Sequence, residues 1–135
     1  MLAELQQLVL AAAPQEICGI LFGRDGRVSA FIAAQNTADD PVRHFEIDPA
    51  TLIAAERDQR GGGDPILGYY HSHPAGTVEP SKTDAECAAP DGRLWLILNG
   101  QDAAAWRTAD EGEIYGRFDA IILDCLGANG QTAAE

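Results

Sequence analysis

Three side chains that commonly bind metal ions lie close together near the middle of this 135-residue chain. They are His71, His73 and Asp84. Zinc accepts imidazole nitrogen and carboxylate oxygen as ligands, and a catalytic zinc site uses three protein ligands so that water can fill the fourth position. Two histidines and one aspartate meet that requirement, so these residues predict a zinc site able to activate water for hydrolysis.

The spacing of the two histidines suits a β-strand. Residues two apart project from the same face of a strand, so His71 and His73 can point at one ion while Ser72 points away. A His-x-His pair is also typical of a strand end that carries two half-exposed imidazoles. The pair alone does not choose between these two interpretations.

The segment Ser81-Lys82-Thr83-Asp84 also has two interpretations, and they are compatible. Ser-x-x-Asp before a helix is close to a capping box, in which two side chains satisfy backbone amides at the helix start. Such a cap holds both side chains in fixed positions. From there Asp84 can face the histidine-bearing strand, and Ser81 can lie beside the metal.

Glu16 is the candidate for the base that such a hydrolysis needs. A base takes a proton from the attacking water and delivers it to the leaving amine. Glu16 lies where a predicted helix gives way to an apolar segment, residues 17–22. The alternative is a solvated residue at a strand end, and the position of Glu16 alone leaves both possibilities open.

Three helices are predicted from periodicity and from start and stop signals. Residues 2–12 carry apolar side chains at helical spacing and are followed by Pro14. A second helix should run from Pro49 to Gln59, with Asp48 as its N-cap and three glycines at its end. A third, short helix should follow Pro80 and extend to about residue 89.

The remaining apolar segments predict a sheet. Strands are expected at residues 17–23, 27–34, 45–48, 66–73, 93–98, 103–108 and 113–122. The Asp25-Gly26 pair predicts a type I′ turn that makes the first two strands an antiparallel hairpin, and further turns are expected at residues 99–100 and 110–112. The sum is an α/β fold with a mixed, mostly antiparallel sheet flanked by helices.

Length and composition fit one domain with one hydrophobic core. We expect that domain to span residues 1–126, and we expect the small, polar residues 127–135 to form a flexible tail. No segment approaches the roughly 18 uncharged apolar residues of a membrane helix, and the first residues lack the basic start of a secretory signal. A cytoplasmic protein is therefore expected.

Charge and cysteine content exclude several classes of protein. The net charge of −12 would repel nucleic acid and anionic lipid surfaces. The cysteines, Cys18, Cys87 and Cys125, are odd in number and widely spaced, which argues against a disulfide framework and a cysteine-rich zinc finger. Each is expected to be a buried or half-buried thiol, and the third histidine, His44, is expected at the surface.

Taken together, the motifs resemble those of a known family. Glu16, the strand Gly19-Ile20-Leu21-Phe22-Gly23, His71-Ser72-His73-Pro74 and Ser81-Lys82-Thr83-Asp84 resemble the JAMM motif of the MPN+ (Mov34/MPN/PAD-1) metalloprotease family. The match is complete at the diagnostic positions and covers the chain from Leu2 to about Phe118. The chain resembles the compact, stand-alone prokaryotic members and lacks the long insertions of the eukaryotic deubiquitinating relatives.

The resemblance implies a fold like that of cytidine deaminase and a zinc hydrolase that cleaves amide or isopeptide bonds. It implies that His71, His73 and Asp84 ligate Zn²⁺, that Glu16 is the general acid and base, and that Ser81 stabilises the oxyanion. The deaminases themselves carry an H-x-E and P-C-x-x-C signature. This sequence has neither motif, which argues against deamination.

The resemblance also implies a substrate class. The compact prokaryotic members are associated with ubiquitin-like sulfur-carrier proteins ending in Gly-Gly, from which they release the joined amine or amino acid. A Gly-Gly tail suits a narrow groove because glycine lets the backbone approach the metal closely, and loops at residues 36–43 and 75–79 are expected to line that groove. The segment Phe45-Glu46-Ile47, or an adjacent edge, is expected to bind the tail by β-augmentation.

Two alternatives stay open. One is a peptidase of the same type with another substrate, as in an amino-acid-releasing step of cysteine synthesis or in phage tail assembly. The other is a non-catalytic MPN interaction module, although such modules generally lack metal ligands and this sequence retains them. The oligomeric state and the identity of the amide are left open by the sequence.

Overall fold

A computed structural model describes residues 1–122 of the chain. In chain order the elements are α1 (Leu2–Ala12), β1 (Cys18–Arg24), β2 (Arg27–Ala34), α2 (Pro49–Arg60), β3 (Ile66–Ser72), α3 (Lys82–Cys87), β4 (Leu94–Leu98), β5 (Ala103–Gly112) and β6 (Gly116–Ile121). The strands form one sheet with the order β2-β1-β3-β4-β5-β6. Within it β3 and β4 run parallel, and the other neighbouring pairs are antiparallel. The predicted α/β fold with a mixed, mostly antiparallel sheet is therefore confirmed.

One face of the sheet is covered by α1. Leu5 and Val9 lie one helical turn apart and are almost completely buried, as expected for an amphipathic helix. They pack with Tyr70 of β3 and with leucines of β4. The Tyr70 ring crosses β1 at Gly19, where a Cβ would overlap the ring. A residue without a side chain is thus required at position 19.

The opposite face is covered by α2 and α3. The α2 helix packs through Ala55 against Ile20 and Ile66. Side chains alternate along a strand, so His71 projects from β3 on this side, away from its neighbour Tyr70. The two faces of β3 therefore separate the core beneath α1 from the candidate site.

The predicted hairpin between β1 and β2 is confirmed. Asp25 and Gly26 have φ angles of 54° and 76°, the left-handed conformation that a type I′ turn needs at both central positions. The strands pair antiparallel from Cys18 to Arg24. The first strand therefore begins and ends one residue later than predicted.

The helix boundaries also agree with their sequence signals. The α1 helix ends at Ala12, ahead of Pro14, and α2 runs from Pro49 to Arg60 with Gly61 at its C-cap. Asp48 occupies the N-cap position, but its carboxylate does not cap a backbone amide. It accepts a hydrogen bond from the Thr51 hydroxyl at 3.0 Å instead.

Two predicted features were wrong. Residues 45–48 form no strand, and a single bridge pairs Ile47 with Asn36, because α2 begins at once with a proline that has no amide to donate. The turn predicted at residues 110–112 lies inside β5. Gly112 pairs with Gly116, so the chain reverses at residues 113–115, where Tyr115 has a φ of 52°. Asp and Gly are common turn residues, but strand pairing overrides them here.

Two further expectations concern the cysteines and the C-terminal tail. Cys18 is buried as expected, but Cys87 is exposed because it ends the short α3 helix on its outer side. Cys125 and the predicted tail, residues 127–135, lie outside the described residues, so the boundary at residue 126 stays a prediction. Within residues 1–122, no helix combines the length and apolarity needed to cross a membrane.

Candidate metal centre

The carboxyl end of β3 carries the two histidines. His71 belongs to the strand and is fully buried, and His73 directly follows its last residue, Ser72. The His73 amide donates to the Leu98 carbonyl at 2.9 Å, which continues the pairing with β4 past the strand end. His73 therefore stays extended, and its Nε2 lies 3.2 Å from Nε2 of His71.

The start of α3 supplies the third candidate ligand. Ser81 and Asp84 form the predicted capping box, in which the Asp84 amide donates to Ser81 Oγ at 3.0 Å and the Ser81 amide donates to Asp84 Oδ2 at 2.9 Å. The same Oδ2 lies 3.2 Å from Nε2 of both His71 and His73. The cap thus fixes the carboxylate against both imidazoles.

The geometry of the three donor atoms fits a metal ion. They form a triangle with sides of 3.2 Å. Ligand atoms about 2.0–2.1 Å from a tetrahedral zinc ion are roughly 3.3 Å apart, which matches these separations. Two imidazoles and one carboxylate are also a donor set that zinc accepts with a position left open. Among residues 1–122 this is the only cluster of potential ligands close enough to share an ion.

The protonation of the cluster is set by burial and by the contacts among its members. Burial alone would raise the pKa of Asp84, but hydrogen bonds with His71 and His73 outweigh it and hold that pKa well below its usual range. Burial lowers the pKa of His71. Burial would also lower the pKa of His73, but its bonds to Asp84 and to the Thr77 carbonyl raise it. An ionised carboxylate and neutral imidazoles are the forms of these groups that bind metals.

The two imidazoles are oriented by different partners. Nδ1 of His73 lies 2.8 Å from the Thr77 carbonyl, so Nδ1 carries the hydrogen and Nε2 is left to bind a metal. Nδ1 of His71 is buried and has no hydrogen-bond partner within the described part of the chain. Instead, the Phe45 ring stacks on His71 with centroids 4.2 Å apart and planes inclined by 16°.

The loop after the histidines, residues 74–80, is tied to the far strands. The Trp106 indole donates to the Val78 carbonyl at 3.1 Å, and the Asn99 amide group donates to the Gly76 carbonyl at 3.0 Å. Asn99 Oδ1 also accepts from the amides of residues 101 and 102. The loop that carries Thr77, the hydrogen-bond partner of His73, is therefore held in place by two hydrogen bonds.

Glu16 precedes β1 and is only 7% exposed. Its amide donates to the Pro41 carbonyl at 2.7 Å, and its carbonyl accepts from Asn36 Nδ2 at 3.0 Å. The next amide, that of Ile17, donates to Ser72 Oγ at 2.8 Å. Because Ser72 lies between the two histidines, this bond joins the Glu16 segment directly to the ligand strand.

The Glu16 carboxyl has a strongly shifted pKa. Burial raises the pKa to about 7, the negative charges of Asp84 and Asp40 add to the rise, and His73 opposes it. These influences place the carboxyl within electrostatic range of the ligand cluster. A group that titrates near neutral pH is suited to accept and return a proton.

The structure brings the five residues predicted from the sequence to one region. His71, His73 and Asp84 contact one another, and Ser81 contacts Asp84. Ser81 is partly exposed, and a hydroxyl that accepts a bond from the Asp84 amide retains its own hydrogen to donate. Glu16 is joined to the histidine-bearing strand through the next residue, because the Ile17 amide donates to Ser72 Oγ at 2.8 Å.

The sequence did not indicate the contacts by which Asn36, Phe45 and Ser72 support the site. Asn36 Nδ2 donates to the carbonyls of Glu16 and His44, and its Oδ1 accepts from the amides of residues 38 and 46. An asparagine after a strand indicates a turn, but its distant partners leave no local pattern. His44 itself is exposed, as expected.

Comparison with known proteins gives a family and several relatives. A family model for prokaryotic homologues of the JAB domain matches residues 1–109. A desampylase of Haloferax volcanii is 37% identical over 102 residues, which cover 73% of each chain. A desampylase of Pyrococcus furiosus is 31% identical over 107 residues, 78% of this chain and 76% of that one. A probable TtuB-protein conjugate cleaving protease of Thermus thermophilus is 32% identical over 114 residues, 77% of this chain and 76% of that one.

Two solved structures share the fold of this chain. A protein from Desulfitobacterium hafniense, known from its solution structure, superposes with a TM-score of 0.71 at 29% identity and covers 90% of this chain and 86% of its own. A JAB1/MPN domain protein from Archaeoglobus fulgidus superposes with a TM-score of 0.52 at 16% identity and covers 90% of this chain and 92% of its own. The second likeness shows the shared fold alone.

Proposed function

Because the chain belongs to the family of prokaryotic JAB-domain homologues, we propose that it is a zinc-dependent peptidase acting on ubiquitin-like proteins. The bond it hydrolyses is the amide after the C-terminal Gly-Gly of a sulfur-carrier protein of that class. The observation that carries the proposal is the triangle of donor atoms from His71, His73 and Asp84, with the buried Glu16 carboxyl in electrostatic range.

The metal-binding role falls to His71, His73 and Asp84. A bound zinc ion would supply Lewis-acid polarisation of the scissile carbonyl and would make a water molecule acidic enough to lose a proton near neutral pH. The chain keeps the donors ready for it. Asp84 is held ionised by its neighbours, and the Thr77 carbonyl fixes the His73 tautomer that leaves Nε2 available.

Glu16 is the proposed general acid and base. Its carboxylate takes a proton from the attacking water and then delivers that proton to the nitrogen of the leaving amine. Burial and the neighbouring carboxylates raise its pKa to about 7, which suits a group that must both accept and donate a proton near neutral pH. Its backbone is fixed on both sides, by Pro41 and Asn36 and through Ile17 by Ser72.

Ser81 is the proposed oxyanion donor. Its Oγ is held by the Asp84 amide, which leaves the hydroxyl hydrogen to donate to the oxygen of the tetrahedral intermediate. Removing one donor of this kind typically costs about 10² to 10³ in rate. The capping box therefore serves the helix and the reaction with the same two residues.

The substrate class rests on the family resemblance and on the relatives, whose names describe desampylases and a TtuB-protein conjugate cleaving protease. The segment Phe45-Glu46-Ile47 is the proposed edge for an extended Gly-Gly tail. Glu46 uses its amide and carbonyl toward Asn36 and Thr37. Backbone groups alternate in direction along an extended chain, so those of Phe45 and Ile47 face the other side, where a substrate strand can pair.

The test uses two forms of one ubiquitin-like substrate ending in Gly-Gly, joined either to a lysine side chain of a reporter protein or to the amine of free cysteine. The zinc-loaded protein is expected to release the intact Gly-Gly terminus from the lysine conjugate, as measured by mass spectrometry. Cleavage of the cysteine form alone would instead support the amino-acid-releasing alternative. Cleavage of neither form, with zinc bound, would support the non-catalytic module.

A further inference from the structure

His71 lacks the contact that normally orients a metal-binding histidine. Such a residue usually donates its second ring N–H to a carboxylate, a carbonyl or water, which fixes both the tautomer and the ring plane. His73 has this contact with the Thr77 carbonyl. In His71 the corresponding atom, Nδ1, is buried, and no group of residues 1–122 forms a hydrogen bond with it. Away from Nε2, the described groups that contact the His71 ring are aromatic side chains.

Aromatic rings surround the His71 imidazole. Phe45 lies flat against it, with centroids 4.2 Å apart and planes 16° apart. Trp95 meets it edge to face at 5.4 Å and 86°, and Phe45 and Trp95 are themselves in contact at 5.7 Å. Trp95 is fixed by Phe118 at 5.1 Å. The imidazole plane is therefore set on one side by Phe45 and on another by a ring anchored in the core.

Phe45 lies outside the helices and strands. It lies between α2 and the loop at residues 36–44, and Glu46 beside it bonds to Asn36 and Thr37. Asn36 also holds the carbonyl of Glu16. The segment that presses on His71 is thus the one that positions the proposed base, and it is half-buried at the edge of the site.

We propose that Phe45 is a positioning residue for the metal centre. Its ring holds the imidazole plane of His71 so that Nε2 stays directed at the ion, in place of the missing hydrogen bond to Nδ1. This inference rests on the proposed function, because it requires His71 to bind the metal. Loss of an outer contact of a ligating histidine typically lowers metal affinity about 10- to 100-fold, and the same range is expected for loss of the ring.

The test compares aliphatic and aromatic replacements at this position. Phe45→Leu and Phe45→Met remove the ring, whereas Phe45→Tyr keeps it, and two aliphatic variants ensure that the result does not depend on one of them folding. The matched control is Phe31→Leu, because Phe31 is also half-buried and contacts Tyr70 edge to face at 5.8 Å on the opposite side of the sheet. Zinc affinity is measured by competition with a chromophoric chelator, and ligand geometry by the visible absorption of the Co²⁺ form.

Phe45→Leu and Phe45→Met are expected to lose about 10- to 100-fold in zinc affinity and to shift the Co²⁺ bands, while Phe45→Tyr and Phe31→Leu stay close to the wild type. The inference is overturned if the aliphatic variants bind zinc normally with an unchanged Co²⁺ spectrum, including the case where only KM changes. It is also overturned if Phe31→Leu loses as much affinity. If the wild-type protein binds no zinc, the inference and the proposed function both fail. If the wild type binds zinc and the aliphatic variants bind it equally well, only the inference fails.

Discussion

His71, His73 and Asp84 are placed by regular elements, whereas Glu16 is placed by loops. These three candidate ligands lie at the end of β3 and in the first turn of α3, where strand pairing and a capping box fix them. Glu16 is held by a proline carbonyl and an asparagine side chain from residues 36–41. The two halves of the site can therefore be disturbed separately, and binding and turnover should respond to different substitutions.

The largest effect is expected on the ligand side, from Asp84→Asn. The amide preserves the size of the side chain and can still accept from the Ser81 amide, but it removes the charge that two imidazoles share. Because loss of an outer contact alone costs about 10- to 100-fold in metal affinity, loss of this ligand should cost at least about 100-fold, with hydrolysis abolished. Metal analysis and chelator competition measure the first quantity. Unchanged zinc content would remove Asp84 from the ligand set.

The next effect is expected on the base side, from Glu16→Gln. This variant should keep its zinc, because Glu16 is not among the three donor atoms, and should lose about 10² to 10⁴ in kcat, the range for a general acid or base. Steady-state kinetics of metal-loaded protein measures it. Glu4→Gln, an exposed carboxylate on α1, is the matched control and should behave as the wild type. Full activity of Glu16→Gln would leave the metal site standing and remove the assigned base.

A smaller effect is expected from replacing two asparagines, one that supports the Glu16 segment and one that supports the loop after the histidines. Asn36→Asp loses the donor to the Glu16 carbonyl, and Asn99→Asp loses the donor to the Gly76 carbonyl. Each lost bond misplaces a neighbour of the reacting groups, so about a tenfold loss of activity is expected from each. Asn36→Asp should lower kcat at normal zinc affinity, whereas Asn99→Asp should weaken zinc binding. Identical behaviour of the two variants would contradict the separation of the halves.

The smallest effect concerns stability of the metal-free protein. Burial raises the pKa of Glu16 to about 7, so as pH rises from about 4.5 to 7 the unfolded chain loses this proton while the folded chain keeps it, and the wild type loses stability. The Glu16→Gln variant does not lose stability in this way, because a glutamine side chain has no proton to lose over this pH range. It should be more stable than the wild type by about 1 to 2 kcal/mol at pH 8 and no more stable at pH 4. Thermal unfolding in a chelating buffer at the two pH values measures the difference, and an equal advantage at both would contradict it.

Activity should follow the same carboxyl. The base must be ionised, so the rate should fall on the acid side as Glu16 takes up its proton. A bound cation lowers the pKa of a neighbouring carboxyl, which places this limb at or below pH 7. The limb should be missing from the residual activity of Glu16→Gln.

The placement of His71, His73, Ser81 and Asp84 could be predicted because the sequence patterns that indicate it are local. Two histidines two residues apart fall on the same face of an extended chain, and Ser81 with Asp84 matches a capping box at a helix start. The hairpin at Asp25 and Gly26 was predictable for the same reason. Each of these features depends on residues within one turn of a helix or a few steps of a strand.

The supporting half was not predictable because its contacts connect distant positions. Asn36 reaches Glu16 and Glu46, and Phe45 reaches His71, without any repeat or spacing that marks them. The turn at residues 113–115 was missed for a related reason, since pairing of Gly112 with Gly116 overrode the local preference of residues 110–112. Tertiary contacts decided these cases.

The bond between the Ile17 amide and the Ser72 hydroxyl joins positions 55 residues apart. During synthesis, the carboxylate of Glu16 therefore emerges long before the strand to which its segment must attach. Residues 71–84, which carry the three candidate metal donors, follow Glu16 by more than 50 positions. The proposed base and the proposed metal donors are therefore brought together by the pairing of β1 with β3, and they stay apart until that pairing has formed.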